Sequence, residues 1–159
     1  MKRIFVLVSV LALSLVTSGL LLAQDNPFVG TWKLNVAKSK FAGTQAPKSE
    51  TRTVVPQGDG EKVTFAGIAG DGSTIAYSFT TNLDGRESPF SGAGPFGADA
   101  VAVKRVDANT TTSTLRKAGK TLQTTTTVVS KDGKVMTQTT KGTNEQGQPI
   151  TLTRVWDKQ

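Results

Sequence analysis

Alternation of apolar and polar residues is the main pattern in this chain after residue 29. In the run 73–83, alternate positions carry the larger side chains, which are Ile75, Tyr77, Phe79, Thr81 and Leu83. Side chains in a β-strand point to opposite faces in turn, so these residues share one face. The same period occurs near the C-terminus, where the residues of one face are Ile150, Leu152, Arg154 and Trp156. Both runs are typical of antiparallel strands with one buried side.

Turn sequences separate these runs. Asp-Gly pairs at 71–72, 84–85 and 132–133 supply the positive φ angles that tight hairpins need. No window keeps a helical period, and threonine is abundant, which suits strands. The pattern predicts about ten strands, at 30–36, 49–57, 61–69, 73–83, 86–91, 99–106, 110–117, 120–130, 134–142 and 148–157.

Short connections link nearly all of these strands. A sandwich of Greek keys needs some long crossovers, whereas an up-and-down barrel needs none and leaves no exposed sheet edges. We therefore predict an all-β fold, an antiparallel up-and-down β-barrel. Barrels of this size can enclose a small ligand.

The N-terminus has the features of a secretory signal peptide. Lys2 and Arg3 precede an apolar run at 4–16, and Ala23 ends a small-residue cleavage sequence. The prediction is a signal peptide at 1–23, a barrel domain at 24–159 and a periplasmic or extracellular protein with no stable membrane insertion after cleavage. The alternative is an uncleaved anchor, since the run is long enough to span a bilayer.

Composition excludes several kinds of chemistry. The chain has no histidine and no cysteine, so Ser-His-Asp and Cys-His nucleophiles, His-ligated metals and disulfides are impossible. Most aspartates lie in turns, and the glutamates Glu50, Glu61 and Glu87 are dispersed without the spacing of an acid–base pair. We predict a protein without catalysis, metal or cofactor.

Charge suggests no macromolecular partner. The net charge is +7 and the basic residues are scattered, with few aromatic residues among them. A nucleic-acid surface would cluster them. We expect no nucleic-acid binding and a monomeric protein.

Both ends of the mature chain resemble a known superfamily. The string "FVGTWKLN" at 28–35 and the closing Thr153-Arg154-Val155-Trp156 resemble the calycins, which comprise lipocalins, fatty-acid-binding proteins and avidins. The opening string is most similar to the intracellular fatty-acid-binding proteins. The resemblance implies a ten-stranded barrel that binds a small, mostly hydrophobic molecule, such as a lipid or fatty acid. It also implies that Gly30 and Trp32 form the structural motif of the first strand.

This chain departs from that family in two places. The segment 37–48 is too short for the helix-turn-helix lid that the family inserts there, so an open or loop-covered mouth is implied. The family also tends to place a second inward arginine two or three strands before the end. The corresponding strand, 122–130, has no arginine.

Two roles are open for Arg154. It can hold the anionic group of a ligand inside the barrel, or it can stack on Trp32 and brace the closed end. The other candidate ligand contacts, which can equally be core residues, are Trp156, Tyr77, Phe79, Leu152, Leu122 and Met136. Threonine arrays at 110–114, 124–127 and 137–140 are interpreted as exposed strand faces. The predicted function is a binding protein for a small hydrophobic ligand, and the alternative is a structural or protein-interaction module with a filled interior.

Overall fold

The computed structural model describes residues 26–159 and shows an antiparallel β-barrel. The predicted signal peptide, 1–23, lies outside these residues. There are twelve strands: β1 (Gly30–Leu34), β2 (Lys40–Ala42), β3 (Ser49–Gln57), β4 (Gly60–Ile68), β5 (Thr74–Thr81), β6 (Asp84–Pro89), β7 (Ser91–Gly92), β8 (Ala100–Arg105), β9 (Thr110–Lys117), β10 (Lys120–Val129), β11 (Val135–Thr143) and β12 (Pro149–Lys158). Ten of them correspond to the predicted strands. The two short ones, β2 and β7, were not predicted.

The strands form one sheet in nearly sequential order. Its hydrogen-bonded path is β6-β8-β9-β10-β11-β12-β1-β3-β4-β5-β7, and every pairing is antiparallel. The two ends of the path, β6 and β7, are consecutive in the chain and are joined by Phe90. The chain itself thus bridges the seam of the sheet, and the predicted up-and-down barrel is confirmed.

Aspartate and glycine shape the hairpin turns as the sequence predicts. In the turn between β10 and β11, the Asp132 carboxylate accepts hydrogen bonds from the Ser130 hydroxyl at 2.6 Å and from the Lys134 backbone N–H at 3.1 Å. Gly133 has a φ of 70°, which a residue with a side chain rarely adopts. A carboxylate that caps its own backbone next to a glycine fixes this turn and the register of its two strands.

The segment between β1 and β3 contains no lid of two helices. A single 3₁₀ turn at Val36–Lys38 precedes β2, which pairs with Thr151–Thr153 of β12. The second helical turn of residues 26–159, Pro95–Gly97, is equally short, so neither has the length of a membrane-crossing helix.

Trp32 belongs to the packed core of the barrel. It is completely buried, and its indole Nε1 donates a hydrogen bond to the Phe28 carbonyl at 2.9 Å. Lys158 Nζ lies 5.1 Å from the centre of the Trp32 ring. The cation over this ring is therefore Lys158, and the alternative that Arg154 stacks on Trp32 is wrong.

Replacement of Trp32 tests its contribution to stability. Trp32→Phe removes buried area and leaves the Phe28 carbonyl without its donor, so we expect the free energy of unfolding to fall by about 2–4 kcal/mol. Urea denaturation of both proteins measures the difference. Val55→Ala is the control, because Val55 is 44% exposed and should change stability by about 0.5 kcal/mol or less. Equal stability of Trp32→Phe and wild type would contradict a stabilising role of Trp32 in the packed core.

Candidate functional site

The barrel encloses a cavity. Its volume is about 80 Å³. This exceeds the roughly 10–15 Å³ that one water requires, so the cavity can hold a small molecule. Side chains from β3, β4, β5 and β8 to β12 line it, together with the residues after β6.

One wall of the cavity is aromatic. Phe65 and Tyr77 stack with their ring centres 4.8 Å apart, and Phe90 meets the rings of Tyr77 and Phe79 edge-on at 5.7 Å. Val63 adds to this wall from β4. Alternation along β4 and β5 directs these side chains inward, and the wall offers a flat apolar surface to a ligand.

The residues 90–99, which we call the strap, complete this wall across the seam. The strap pairs with β5 through only two residue pairs, Tyr77 with Gly92 and Ser78 with Ser91. A Cβ atom at Gly92 would lie 2.5 Å from the Ala76 carbonyl oxygen, so this close approach requires glycine. Pro95 and Phe96 then line the cavity, which makes the strap a direct part of the site.

The opposite wall is polar. It comes from three neighbouring strands, β9, β10 and β11, and consists of Thr111, Ser113, Gln123, Thr125, Thr127, Gln138 and Thr140. The hydroxyls of Thr125 and Thr140 share a hydrogen bond of 2.7 Å. Gln138 Nε2 donates to Thr127 Oγ1 at 3.2 Å. The prediction that the threonine arrays lie on exposed faces is wrong for their alternate members, which point inward and are buried.

Arg52 is a buried cation in this cavity. Its side chain lies on β3 with the residue only 6% exposed, and its guanidinium is 5.7 Å from the centre of the Phe65 ring. Its NH1 group donates a hydrogen bond to the Met136 sulfur, 3.0 Å from the nitrogen, and Nε has no hydrogen-bond partner in residues 26–159. Within those residues no carboxylate lies close enough to Arg52 for a salt bridge. A buried charge without a paired carboxylate is costly.

A second arginine in the cavity has a partner. Arg154 NH1 lies 3.4 Å and 3.5 Å from the two carboxylate oxygens of Glu50, and Arg154 Nε has no partner in the described part of the chain. The remaining buried carboxylate, Glu61, pairs with Arg105 at 3.8 Å. Glu50 therefore pairs with Arg154 alone, and Arg52 is left without a carboxylate in contact in the part of the chain that the structure describes.

Burial governs the ionisation of these groups. It raises the pKa of Glu50 above its ordinary value, and the charges of Arg154 and Arg52 oppose that rise. Burial also raises the pKa of the Tyr77 phenol, with the negative charge of Glu50 as the next cause, and lowers the pKa of Arg52. For Arg52 the carboxylates of Glu61 and Glu50 act in the opposite direction without direct contact. Residues 26–159 contain no cluster of carboxylates arranged to hold a metal ion.

The structure brings four of the predicted ligand contacts together in the cavity wall. These are Arg154, Tyr77, Phe79 and Leu152. Trp156 does not line the cavity; it is fully buried and donates from Nε1 to Gln138 Oε1 at 2.9 Å. Met136 is also fully buried, behind Arg52, and Leu122 lies where the pairing of β9 with β10 shifts register, between Thr121 and Gln123.

The sequence analysis missed Arg52 and Glu61, which line the cavity, and Glu50, the buried partner of Arg154. A local signal exists for two of them, because Glu50, Arg52 and Val54 alternate along β3 on the buried face. A lone strand of charged and apolar residues does not show which face is inside. Only the pairing of β3 with β1 and β4 turns the charged residues inward.

Glu50→Gln tests the electrostatics of the cavity. Because the folded pKa of Glu50 lies above the ordinary 4.5, its contribution to stability is full below pH 4.5 and is lost as the pH rises through the folded value. Glutamine resembles the protonated acid, so the variant should lack this loss and be at least as stable as wild type at neutral pH. The measurement is the free energy of unfolding in urea from pH 4.5 to 8.

Exposed aspartates also make the free energy of unfolding depend on pH, and they do so equally in wild type and in Glu50→Gln. Asp71 and Asp132 have lowered pKa values because serine hydroxyls and backbone N–H groups bond to them, so they change stability equally in the two proteins. A variant that is clearly less stable than wild type at pH 7 would contradict the expectation. It would mean that the Glu50–Arg154 pair is stabilising on balance.

Comparison with known proteins shows the same fold. Neither a protein-family profile nor a curated protein sequence matches the chain. Among solved structures, the zebrafish ileal bile acid-binding protein complexed with cholic acid superposes with a TM-score of 0.51 and 18% sequence identity. The match covers 84% of this chain and 99% of that one. The chain therefore has a calycin-like fold, the near-closed antiparallel barrel of that binding protein.

Proposed function

We propose that this protein is an exported, monomeric, non-catalytic carrier that binds a small, mostly hydrophobic acid inside its barrel. The aromatic wall would hold the apolar part of the ligand. The acid group would lie against the guanidinium groups of Arg52 and Arg154.

The observation that carries the proposal is the environment of Arg52. It is a cation that the fold has buried without a carboxylate partner, and its Nε has no hydrogen bond within residues 26–159. Guanidinium groups form paired, charge-assisted hydrogen bonds with carboxylates. An acidic ligand would supply the charge that Arg52 lacks.

The size of the cavity limits the ligand. The cavity volume of about 80 Å³ is well below the roughly 300–1,000 Å³ of sites for drug-sized ligands, so it suits a short- or medium-chain acid. A longer fatty acid or a ligand as large as cholic acid would require the wall to move. The strap is the best candidate for such movement, since two residue pairs hold it to β5. The structural neighbour in complex with cholic acid supports a hydrophobic acid as the kind of ligand.

The alternative is a structural module whose interior serves only as a core. The small cavity volume favours it, as does the close packing of Trp156 and Met136 beside the site. The same binding experiment distinguishes the two functions, because a filled module binds no acid saturably.

Arg52→Met tests the carrier function. We expect octanoate to displace an environment-sensitive fluorescent fatty acid from wild type, and its dissociation constant to rise about tenfold or more in the variant, because a charge-assisted hydrogen bond is lost. Thermal unfolding should show the variant to be no less stable, since methionine removes a buried cation without a carboxylate partner. Arg86→Met is the control, because the Arg86 side chain is 87% exposed. Absence of saturable binding to wild type, or equal binding to Arg52→Met, would contradict the proposal.

Export makes a separate prediction. When the full chain is expressed in a bacterial host, the protein should appear in the periplasm or medium with Gln24 as its first residue, as Edman sequencing or intact mass would show. Ala23→Asp should block cleavage, because the residue before the cut must be small. Wild-type protein that stays in the membrane fraction with Met1 intact would instead identify the leader as an anchor.

A further inference from the structure

We infer that the ligand is a hydroxylated acid, with its hydroxyl group directed to the polar wall of the cavity. This inference rests on the proposed function and specifies its ligand. Its basis is the difference between the two walls, since one is aromatic and the other carries hydroxyl and amide groups. A fatty acid without a hydroxyl group would form no hydrogen bonds with the polar wall.

The polar wall is a continuous surface. Its residues come from neighbouring strands, since β10 pairs with both β9 and β11, and they project inward at alternate positions. Thr125 stands directly opposite Thr140, and Thr127 opposite Gln138. The facing wall consists of Val63, Phe65, Tyr77, Phe79 and Phe90. A molecule between the walls therefore meets hydroxyl and amide groups on one side and aromatic rings on the other.

Hydroxyl groups are a costly way to fill a barrel. Thr111, Thr125, Thr127 and Thr140 are between 3% and 8% exposed. Valine has nearly the same shape as threonine and would fill the same space without burying a polar group. The position of these hydroxyls beside a cavity, rather than in the packed core around Trp32, indicates that something polar meets them.

The two hydroxyl groups of Thr125 and Thr140 do not use all of their hydrogen-bond donors and acceptors on each other. Thr125 and Thr140 share one hydrogen bond, in which either can be the donor. A hydroxyl has one donor proton and two acceptor lone pairs. The pair thus keeps one proton and several lone pairs for a ligand hydroxyl, which can both donate and accept. A methylene group in the same place would use none of them.

One ligand can meet both the arginines and the polar wall, because they line the same cavity. The cavity volume of about 80 Å³ limits that ligand to a small molecule. Arg52 and Thr125 line the same cavity, so such a molecule can place its acid at the arginines and its hydroxyl at the threonines. Medium-chain hydroxy acids have this chemistry and this size.

The experiment compares octanoate with its 3-, 5- and 8-hydroxy derivatives in the same displacement assay. Wild type should bind at least one hydroxyoctanoate about tenfold more tightly than octanoate, because a site with buried polar groups discriminates against a ligand that leaves them unpaired. The double variant Thr125→Val/Thr140→Val should lose this preference while its affinity for octanoate stays the same or increases.

A matched control is present on the same two strands. Thr126 and Thr139 also stand opposite each other in β10 and β11, but both are exposed on the outer face. Thr126→Val/Thr139→Val makes the same chemical change one residue further along and should keep the wild-type preference. Thermal unfolding of both double variants verifies that each is folded.

Each outcome separates this inference from the proposed function. If octanoate binds in an Arg52-dependent way but no hydroxyoctanoate is preferred, the carrier function stands and the hydroxylated ligand is wrong. The inference is also wrong if the Thr125→Val/Thr140→Val variant keeps the preference. If no acid binds to wild type, the proposed function itself fails.

Discussion

The closed sheet forces alternate side chains of each strand into one narrow interior. In an open sheet a charged residue on the wrong face can still reach water, whereas in a barrel it must find its partners inside. Glu50, Arg52 and Arg154 are in this position, because the registers of β3 and β12 turn all three inward. The interior therefore holds Arg52 and Arg154 together with Glu61, which lines the cavity and pairs with Arg105, and Glu50, which pairs with Arg154. The lack of a carboxylate in contact with Arg52 in residues 26–159 is thus a consequence of closure.

Closure also shapes one wall of the cavity. The path of the sheet ends at β6 and β7, and the covalent connection through Phe90 joins those ends. Phe90 packs on Tyr77 and Phe79, so the residue that bridges the seam also belongs to the aromatic wall. Because β7 contributes only two residue pairs, little backbone pairing holds this side of the barrel. The strap, residues 90–99, thus both bridges the seam of the sheet and forms part of the cavity wall.

The sequence predicts the strands well because alternation and turn chemistry are local properties. It predicts the site less completely, since alternation gives the face of a residue but not its depth in the barrel. Leu152, Arg154 and Trp156 share a face of β12, and each step of two residues moves about 7 Å along the strand. Leu152 and Arg154 reach the cavity, whereas Trp156 lies deeper and fills the core. Glu50 and Arg154 are far apart in sequence, and no local pattern reveals that their side chains meet.

Glu50 links ligand charge to protonation. Within residues 26–159 it is the one carboxylate that contacts Arg154, and burial already disfavours its ionised form. An acid bound at Arg52 and Arg154 would place a second negative charge beside Glu50 and would take up part of the positive charge that keeps it ionised. Like charges raise the pKa of a carboxyl group further. Binding of an acid and protonation of Glu50 would then favour each other by the same free energy, because coupling between two binding events is reciprocal. Glu50 would thus compete with a bound acid for the positive charge of Arg154.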